Sequence, residues 1–420
     1  MYRNLFIGGD MDLLVKNAQL RDRDETADIL ISNGKFIRIE KSLRIENEKI
    51  DVIDAEGNLL TPTFVNPHLH IDKAFTALGG RFGVEESLEE SIKVMHDKKR
   101  NYTEEDVKRR ALLVIKESVK FGVTKIRAHV DVDMIAGLRA LKGCLSAKKE
   151  TEDIADIQIV AFPQEGIFRD PGTEKLMYEA MNLGVDVVGG MPTHEWVTEE
   201  SKRHVDFVFE LAKNYDKDID MHMDQMKDPF AQSLEYTAFK TIKEGFQGRV
   251  TAGHCTSLAY QNDAHAKKVI ELLKVANINI CSNPQVLAIM GVDPEPRTRG
   301  LTRVRDLVEA GINVGCAQDT ICDGFHIFGN GDPLDYGLLM AYQAQYNSTD
   351  KIKIVYDMIT SNSARIMRLS DYGIKVGNPA DFNIIFAENE SEAFRRRPSR
   401  LIYRKGELVA KYNSYGEILI

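Results

Sequence analysis

The sequence predicts an α/β fold, a (β/α)8 TIM barrel carrying a small β domain built from both chain ends. Three observations predict it. Strand-like runs recur at 62–70, 123–133, 156–164, 185–191, 218–224, 248–255, 277–284 and 312–319, separated by helix-like or loop segments, and eight such alternations suit a closed barrel better than an open sheet. Both chain ends are β-rich while the middle is not. No GxGxxG run opens a helix after a strand and no Walker A run occurs, which removes the common nucleotide-binding folds.

The elements follow in order. Asp12–Asn17 and Asp28–Ser32 alternate weakly between apolar and polar, and Asn33-Gly34 marks a tight turn into Lys35–Ile39. Asp381–Phe386 and Leu401–Ala410 answer them at the far end, the latter around Gly406. The small domain is therefore expected at 1–61 and 376–420, and the barrel at 62–375. Within the barrel, Thr103-Glu-Glu-Asp caps a helix whose apolar positions (Val107, Ala111, Val114, Ile115, Val119) keep helical spacing. Gly122 ends it, and Val123–Val130 reads as the next strand.

Composition narrows the functions. The chain has 420 residues, 43% hydrophobic and 28% charged, ample for a large core and two domains. A net charge of −9 argues against nucleic acid as a partner. The single basic run, Phe394–Arg400, reads as a solvated turn or edge. No apolar run reaches the roughly eighteen residues a membrane span needs, and Met1–Asp10 lacks a signal-like apolar core. Cys144, Cys255, Cys281, Cys316 and Cys322 form no CxxC pair. They read as reduced thiols of a cytoplasmic protein.

Chemistry concentrates at strand ends, where barrels of this class place their active sites. Phe64-Val-Asn-Pro-His68-Leu-His70-Ile-Asp-Lys73 ends the first strand with two histidines at spacing two, which points both imidazoles to one face. His129 lies late in the second strand, before Asp131 and Asp133. Gln164 and Glu165 end the third, His222 and Asp224 the fifth, His254 the sixth and Asp319 the eighth. Five of the ten histidines are so placed, which a scatter of surface histidines would not produce. His96, His204 and His265 read as surface residues. His194 either lines a pocket or packs beside Trp196, and His326 is a weaker pocket candidate. Asp319 alone could cap a helix. With His68, His70 and His222 it completes a three-nitrogen, one-oxygen set that suits Zn, with Fe also accommodated. Such an ion lowers the pKa of a water from 15.7 to about 7. Asp319 could then take the water's proton, and His254 could polarise the electrophile or share that proton.

These residues carry a resemblance. Phe64–Lys73, Ala161–Ile167, Asp220–Asp224, Gly248–His254, Gly300–Arg305, Ala310–Gly315 and Tyr372–Asp381 resemble the amidohydrolase superfamily, in the branch holding cytosine deaminase and N-isopropylammelide isopropylaminohydrolase. The resemblance runs nearly end to end. It implies a barrel with a β-sandwich built from both termini, one metal on His68, His70, His222 and Asp319, and a catalytic His254. Binuclear members carry a lysine at the end of strand four, and Val185–Gly190 has none. Gln164 stands where a pyrimidine is held by a side-chain amide. Gln225 stands where cytosine deaminase has a proton-shuttling Glu, a task an amide does not perform. Lys73 is shared with the ammelide-type enzyme; it either protonates or electrostatically stabilises the leaving group, provided burial beside the metal lowers its pKa, or forms a salt bridge to Asp72 or another barrel-mouth acid. Asp224 is a second candidate for that proton transfer. His129 and Trp196 complete the candidate substrate contacts.

The expected function is therefore a metal-dependent aminohydrolase that cleaves an exocyclic C–N bond of a cyclic amidine, such as a pyrimidine or triazine. The expected partner is that small heterocycle, with neither nucleic acid nor membrane, in a homo-oligomer. The alternatives are ring opening of a cyclic amide or ureide, and a non-catalytic barrel that keeps its metal.

Overall fold

The structure, a computed structural model, describes residues 12–21, 23–45, 50–78, 88–289, 300–414 and 416. The N-terminal run Met1–Asp10 lies outside the described residues. The chain divides into two compact units.

One unit holds 1–63, 120–124 and 370–420. Its strands run in the order Glu407–Tyr412, Arg400–Arg404, Phe382–Ile385, Leu59–Pro62, Leu13–Leu20, Ala27–Ser32 and Lys35–Glu40, with Asp51–Asp54 also pairing Leu13–Leu20. Strand Leu13–Leu20 serves two neighbours in turn. Leu13 to Val15 pair Ile31 to Ile29, the register breaks at a bulge around Asn17, and Gln19 and Leu20 then pair Leu59 and Leu60. That switch lets apolar residues from both chain ends share one core: Val15, Ile29, Ile31, Phe36 and Leu60 with Phe382, Ile384 and Tyr403. The Asn33-Gly34 turn has φ of 49° and 69°, the doubly left-handed geometry that explains this residue pair between antiparallel strands. The basic run departs from its expected solvated turn. Its first part closes helix Glu390–Arg396, and Arg400 opens a strand fully buried, donating from Nη1 to the carbonyl of Phe121 at 3.0 Å.

The second unit, 64–119 and 125–369, is the barrel. Its eight parallel strands are Phe64–Leu69, Val123–Asp131, Asp156–Phe162, Val187–Gly190, Asp218–Met223, Val250–His254, Asn279–Ser282 and Val314–Cys316, paired in chain order. Each falls inside its predicted run. Near-continuous burial along them is what a parallel sheet covered on both faces requires. Between them, helix Glu104–Lys120 begins where expected, with Thr103 Oγ1 accepting from the N–H of Asp106 at 3.1 Å. The ring closes between first and eighth strands: Asp319 N donates to His68 O at 3.0 Å and His70 N to Asp319 O at 2.8 Å. Barrel closure thus runs through the very residues the sequence marks as ligands.

Candidate metal centre and cavity

Because His68 and His70 flank the closure bond with Asp319, one turn of backbone pairing brings three candidate ligands together. His68 Nε2 lies 3.3 Å and His70 Nε2 3.4 Å from Asp319 Oδ1. His222, ending the fifth strand, places its Nε2 3.1 Å from that of His70. The ligand atoms of His68, His70, His222 and Asp319 all lie within 4.8 Å of one another. Gly253 makes room for this floor, since a Cβ there would lie 3.3 Å from the His68 ring. Asp319 and His254 both sit at left-handed φ, 68° and 65°, backbone conformations that cost energy and cluster at functional sites.

The donor chemistry fits a divalent cation. Burial, then Lys73, pushes His70 down to about 3, and burial drives His222 well below the ordinary histidine range. Both rings are therefore neutral near pH 7. Burial opposes the charge of Asp319, yet His254 and the neighbouring His68 and His70 rings hold the carboxyl well below the usual range. Two ring nitrogens 3.1 Å apart, beside an ionised oxygen and a His68 Nε2 without a hydrogen-bond partner, are lone pairs aimed at one point. A cation satisfies them all. His254 stands alongside, with Nε2 3.8 Å from Asp319 Oδ2 and 3.1 Å from Asn283 Nδ2; burial pushes its pKa to about 3.

Above this floor lies a cavity with about 500 Å³ of empty space. Its polar wall includes Lys73, Gln164, His194, Gln225 and Thr320; Ile92, Met191, Val286 and Phe325 supply the apolar side. Lys73 Nζ bonds Asp131 Oδ1 and Gln164 Oε1, each at 2.9 Å, between the rings of Phe162 and Phe325. Of the two readings of Lys73, the salt bridge is the one found, to Asp131, and the low pKa is corrected: burial pulls it down, but Asp131 and Asp72 outweigh burial and raise it above the ordinary lysine value. Lys73 is a persistent cation, and its proton is held rather than loose.

The structure also sorts the other candidates. His129 lies beneath the floor, stacked on His68 at 3.9 Å between centroids and 3.2 Å from Asp220, with no face on the cavity. Asp224 turns away from the cavity to cap helix Ser233–Glu244, accepting from Leu234 N at 3.0 Å, and burial raises its pKa to about 6. Trp196 is 69% exposed, covered by Arg169 at 4.4 Å, and lies outside the cavity wall. His204, expected at the surface, is fully buried against Glu195 at 2.7 Å, because its helix packs that face inward. His326 is buried beside Thr320 and does not line the cavity.

Two contributors carried no usable sequence signal. Lys99 ends helix Leu88–Arg100 in a basic turn that looks solvated, yet it is buried among Asp131 (2.9 Å), Glu165 (3.0 Å) and Asp133. Arg127, inside the barrel, bonds Asp220 at 2.7 Å, Gln158 at 2.9 Å and the carbonyl of Ile366 at 3.0 Å. Asp220 is wholly buried, so removing its cation strands a charge. Arg127→Met is expected to destabilise the chain by about 3–5 kcal/mol, read as a fall in the urea midpoint; an unchanged midpoint would contradict it. Asn283 was findable, since it lies within the seventh predicted run.

Residues 81–412 match the Amidohydrolase family. The chain is 34% identical over 414 residues to N-isopropylammelide isopropyl amidohydrolase of Pseudomonas sp. (strain ADP), spanning 96% of this chain and 98% of that protein. It is 27% identical over 392 residues to pterin deaminase of Rhizobium rhizogenes, spanning 91% and 87%. The fold superposes on the crystal structure of 5-methylcytosine deaminase from Klebsiella pneumoniae liganded with phosphonocytosine, with a TM-score of 0.91, 35% identity and coverage of 97% and 100%.

Proposed function

We propose, for a chain that belongs to the amidohydrolase family, hydrolytic removal of an exocyclic amino or alkylamino group from a cyclic amidine, a pyrimidine, triazine or related ring. The observation that carries this reading is the convergence of His68, His70, His222 and Asp319 on one point at the floor of a cavity walled by amides and a lysine. A zinc or iron ion bound there would supply a water acidified to a pKa of about 7. The chain's own residues supply the rest. Ionised Asp319 accepts the attacking water's proton. His254, neutral and braced by Asn283, stands next to the carbon under attack. Lys73 faces the cavity as a cation and stabilises charge on the departing nitrogen or on the ring. Gln164 and Gln225 orient the ring edge. The five free cysteines, four of them buried, suit the cytoplasm, and no helix among the described residues is long and apolar enough to cross a membrane.

The test is an amine-release screen of the zinc- or iron-loaded protein across pyrimidines, triazines and pterins, with product masses. Free ammonia or alkylamine with an intact ring supports the reading. A product that keeps every nitrogen and opens the ring supports cyclic amide hydrolysis instead, and an inert protein supports a non-catalytic barrel. Gln225 limits cytosine in this scheme, because an amide does not shuttle protons. Gln225→Glu is expected to raise kcat on cytosine by roughly 10-fold or more; no gain would remove that explanation.

A further inference from the structure

His194 and Glu195 follow the fourth barrel strand, on and just after the short turn Pro192–His194, and the reaction outlined above does not use them. Glu195 accepts from the backbone N–H groups of Ile167 (2.7 Å), Phe168 (3.2 Å) and Arg169 (2.8 Å). His194 Nδ1 lies 2.5 Å from the carbonyl oxygen of Gln164. Two adjacent residues thus stitch this turn to the loop after the third strand, and seat the imidazole beside Gln164.

Those partners decide which atoms face the ligand. A carbonyl oxygen only accepts, so His194 Nδ1 carries the ring proton. Burial lowers the pKa of His194, which keeps the ring neutral and Nε2 a bare lone pair. That Nε2 has no protein partner among the described residues, and His194 lines the cavity. The amide of Gln164 is settled in the same way. Lys73 Nζ has no lone pair, so the Gln164 atom at 2.9 Å from it is Oε1 and the free end is the N–H donor. Lys73 uses one N–H on Asp131 and one on Gln164, leaving a third.

We propose that His194 is a specificity-determining residue whose Nε2 accepts a ring N–H of the substrate, next to a ring acceptor bonded by the Gln164 amide. The wall then reads a lactam-type edge, an N–H adjoining C=O, and rejects rings alkylated at that nitrogen. A buried acceptor left unpaired, and an N-methyl group pushed against it, both cost affinity. The inference rests on the heterocycle reading of the cavity and narrows its substrate class.

The experiment measures binding rather than turnover. Zinc-loaded wild-type and His194→Phe proteins are titrated calorimetrically with uracil, 1-methyluracil and 3-methyluracil. Wild type is expected to bind one of the two methylated rings roughly 10- to 100-fold more weakly than uracil. His194→Phe is expected to weaken uracil by a similar factor and to lose the preference. ¹⁵N-histidine NMR of the wild type, which needs no variant, is expected to report His194 as the Nδ1–H tautomer, with Nε2 shifting on uracil addition. An Nε2–H tautomer, a preference that survives in His194→Phe, or no binding of any of the three rings overturns the assignment. Retained uracil preference without amine release from any ring would sink the proposed reaction and leave the His194 role standing. Amine release without the preference would do the reverse.

Discussion

Asp319→Asn is expected to lower kcat/KM for amine release by roughly 10⁴-fold, at the top of the range for losing a positioned acid–base group. The substitution is close to isosteric, and Asn tolerates the left-handed φ of 68° that this position adopts. The closure bonds to His68 and His70 use backbone atoms of residue 319, so the barrel is expected to stay intact. What disappears is the charge: an amide oxygen is a weaker ligand beside the imidazoles and has no affinity for a proton near pH 7. The check is steady-state kinetics beside metal content by elemental analysis and a circular dichroism melt. Activity above roughly a tenth of wild type with full metal content would mean that another group takes the proton.

The second large effect is expected at Lys73. Lys73→Met should lower kcat roughly 10²- to 10⁴-fold while costing about 3 kcal/mol or less in stability. Both halves follow from its neighbours. Lys73 is the cation in contact with the cavity, held charged by Asp131 and Asp72 against burial. Asp131 would not be stranded by the change, because Lys99 sits on its other oxygen at 2.9 Å. Removing one partner of an isolated buried pair costs about 3–5 kcal/mol; a shared carboxylate should lose less. Methionine keeps the length and the contact with Phe162 and Phe325. Lys73→Arg should fail to restore the rate, since a planar fork cannot bond Asp131 and Gln164 as a tetrahedral ammonium does. A Lys73→Met protein that turns over normally would reduce Lys73 to a structural ion. One that fails to fold would place its main contribution in the charge network.

The stability and rate predictions together separate two layers of the barrel. Arg127, Asp220 and His129 lie beneath the floor and hold it up. Asp319 and Lys73 line the cavity above it, with His254 beside Asp319. Variants of the lower layer should lose folding free energy in proportion to activity. Those of the upper layer should lose activity with little change in melting.

Much of this could be read from one dimension. The eight barrel strands fell inside their predicted runs because burial on both faces leaves a near-continuous apolar signature. His68, His70, His222 and Asp319 were identifiable because the strand-end rule and the spacing of two act locally, within a few residues of backbone. The terminal sheet was legible for the same reason, in its alternation and its Asn33-Gly34 turn. Side-chain environments were another matter. His204 looked like a surface residue, and Lys99 gave no signal, because a helix does not disclose which of its polar positions meets a buried carboxylate from elsewhere in the chain. Trp196 and Asp224 lay near pocket residues in sequence, yet one points to solvent and the other caps a helix.

Lys73 shows where the boundary falls. Its presence three residues after His70 could be read directly, and so could its chemical possibilities. Its charge state could not. Burial by itself would have lowered its pKa, and the sequence left that reading open beside a salt bridge to a barrel-mouth acid. The opposite sign comes first from Asp131, contributed by the second strand, and then from the adjacent Asp72, while Gln164, contributed by the third strand, fixes where one of the Lys73 N–H bonds points. The candidate ligand set in this chain follows from local backbone period and strand ends and is written in order along the sequence. Protonation and hydrogen-bond polarity are through-space sums over residues 58 and 91 positions away, and they take their values only once the barrel has closed.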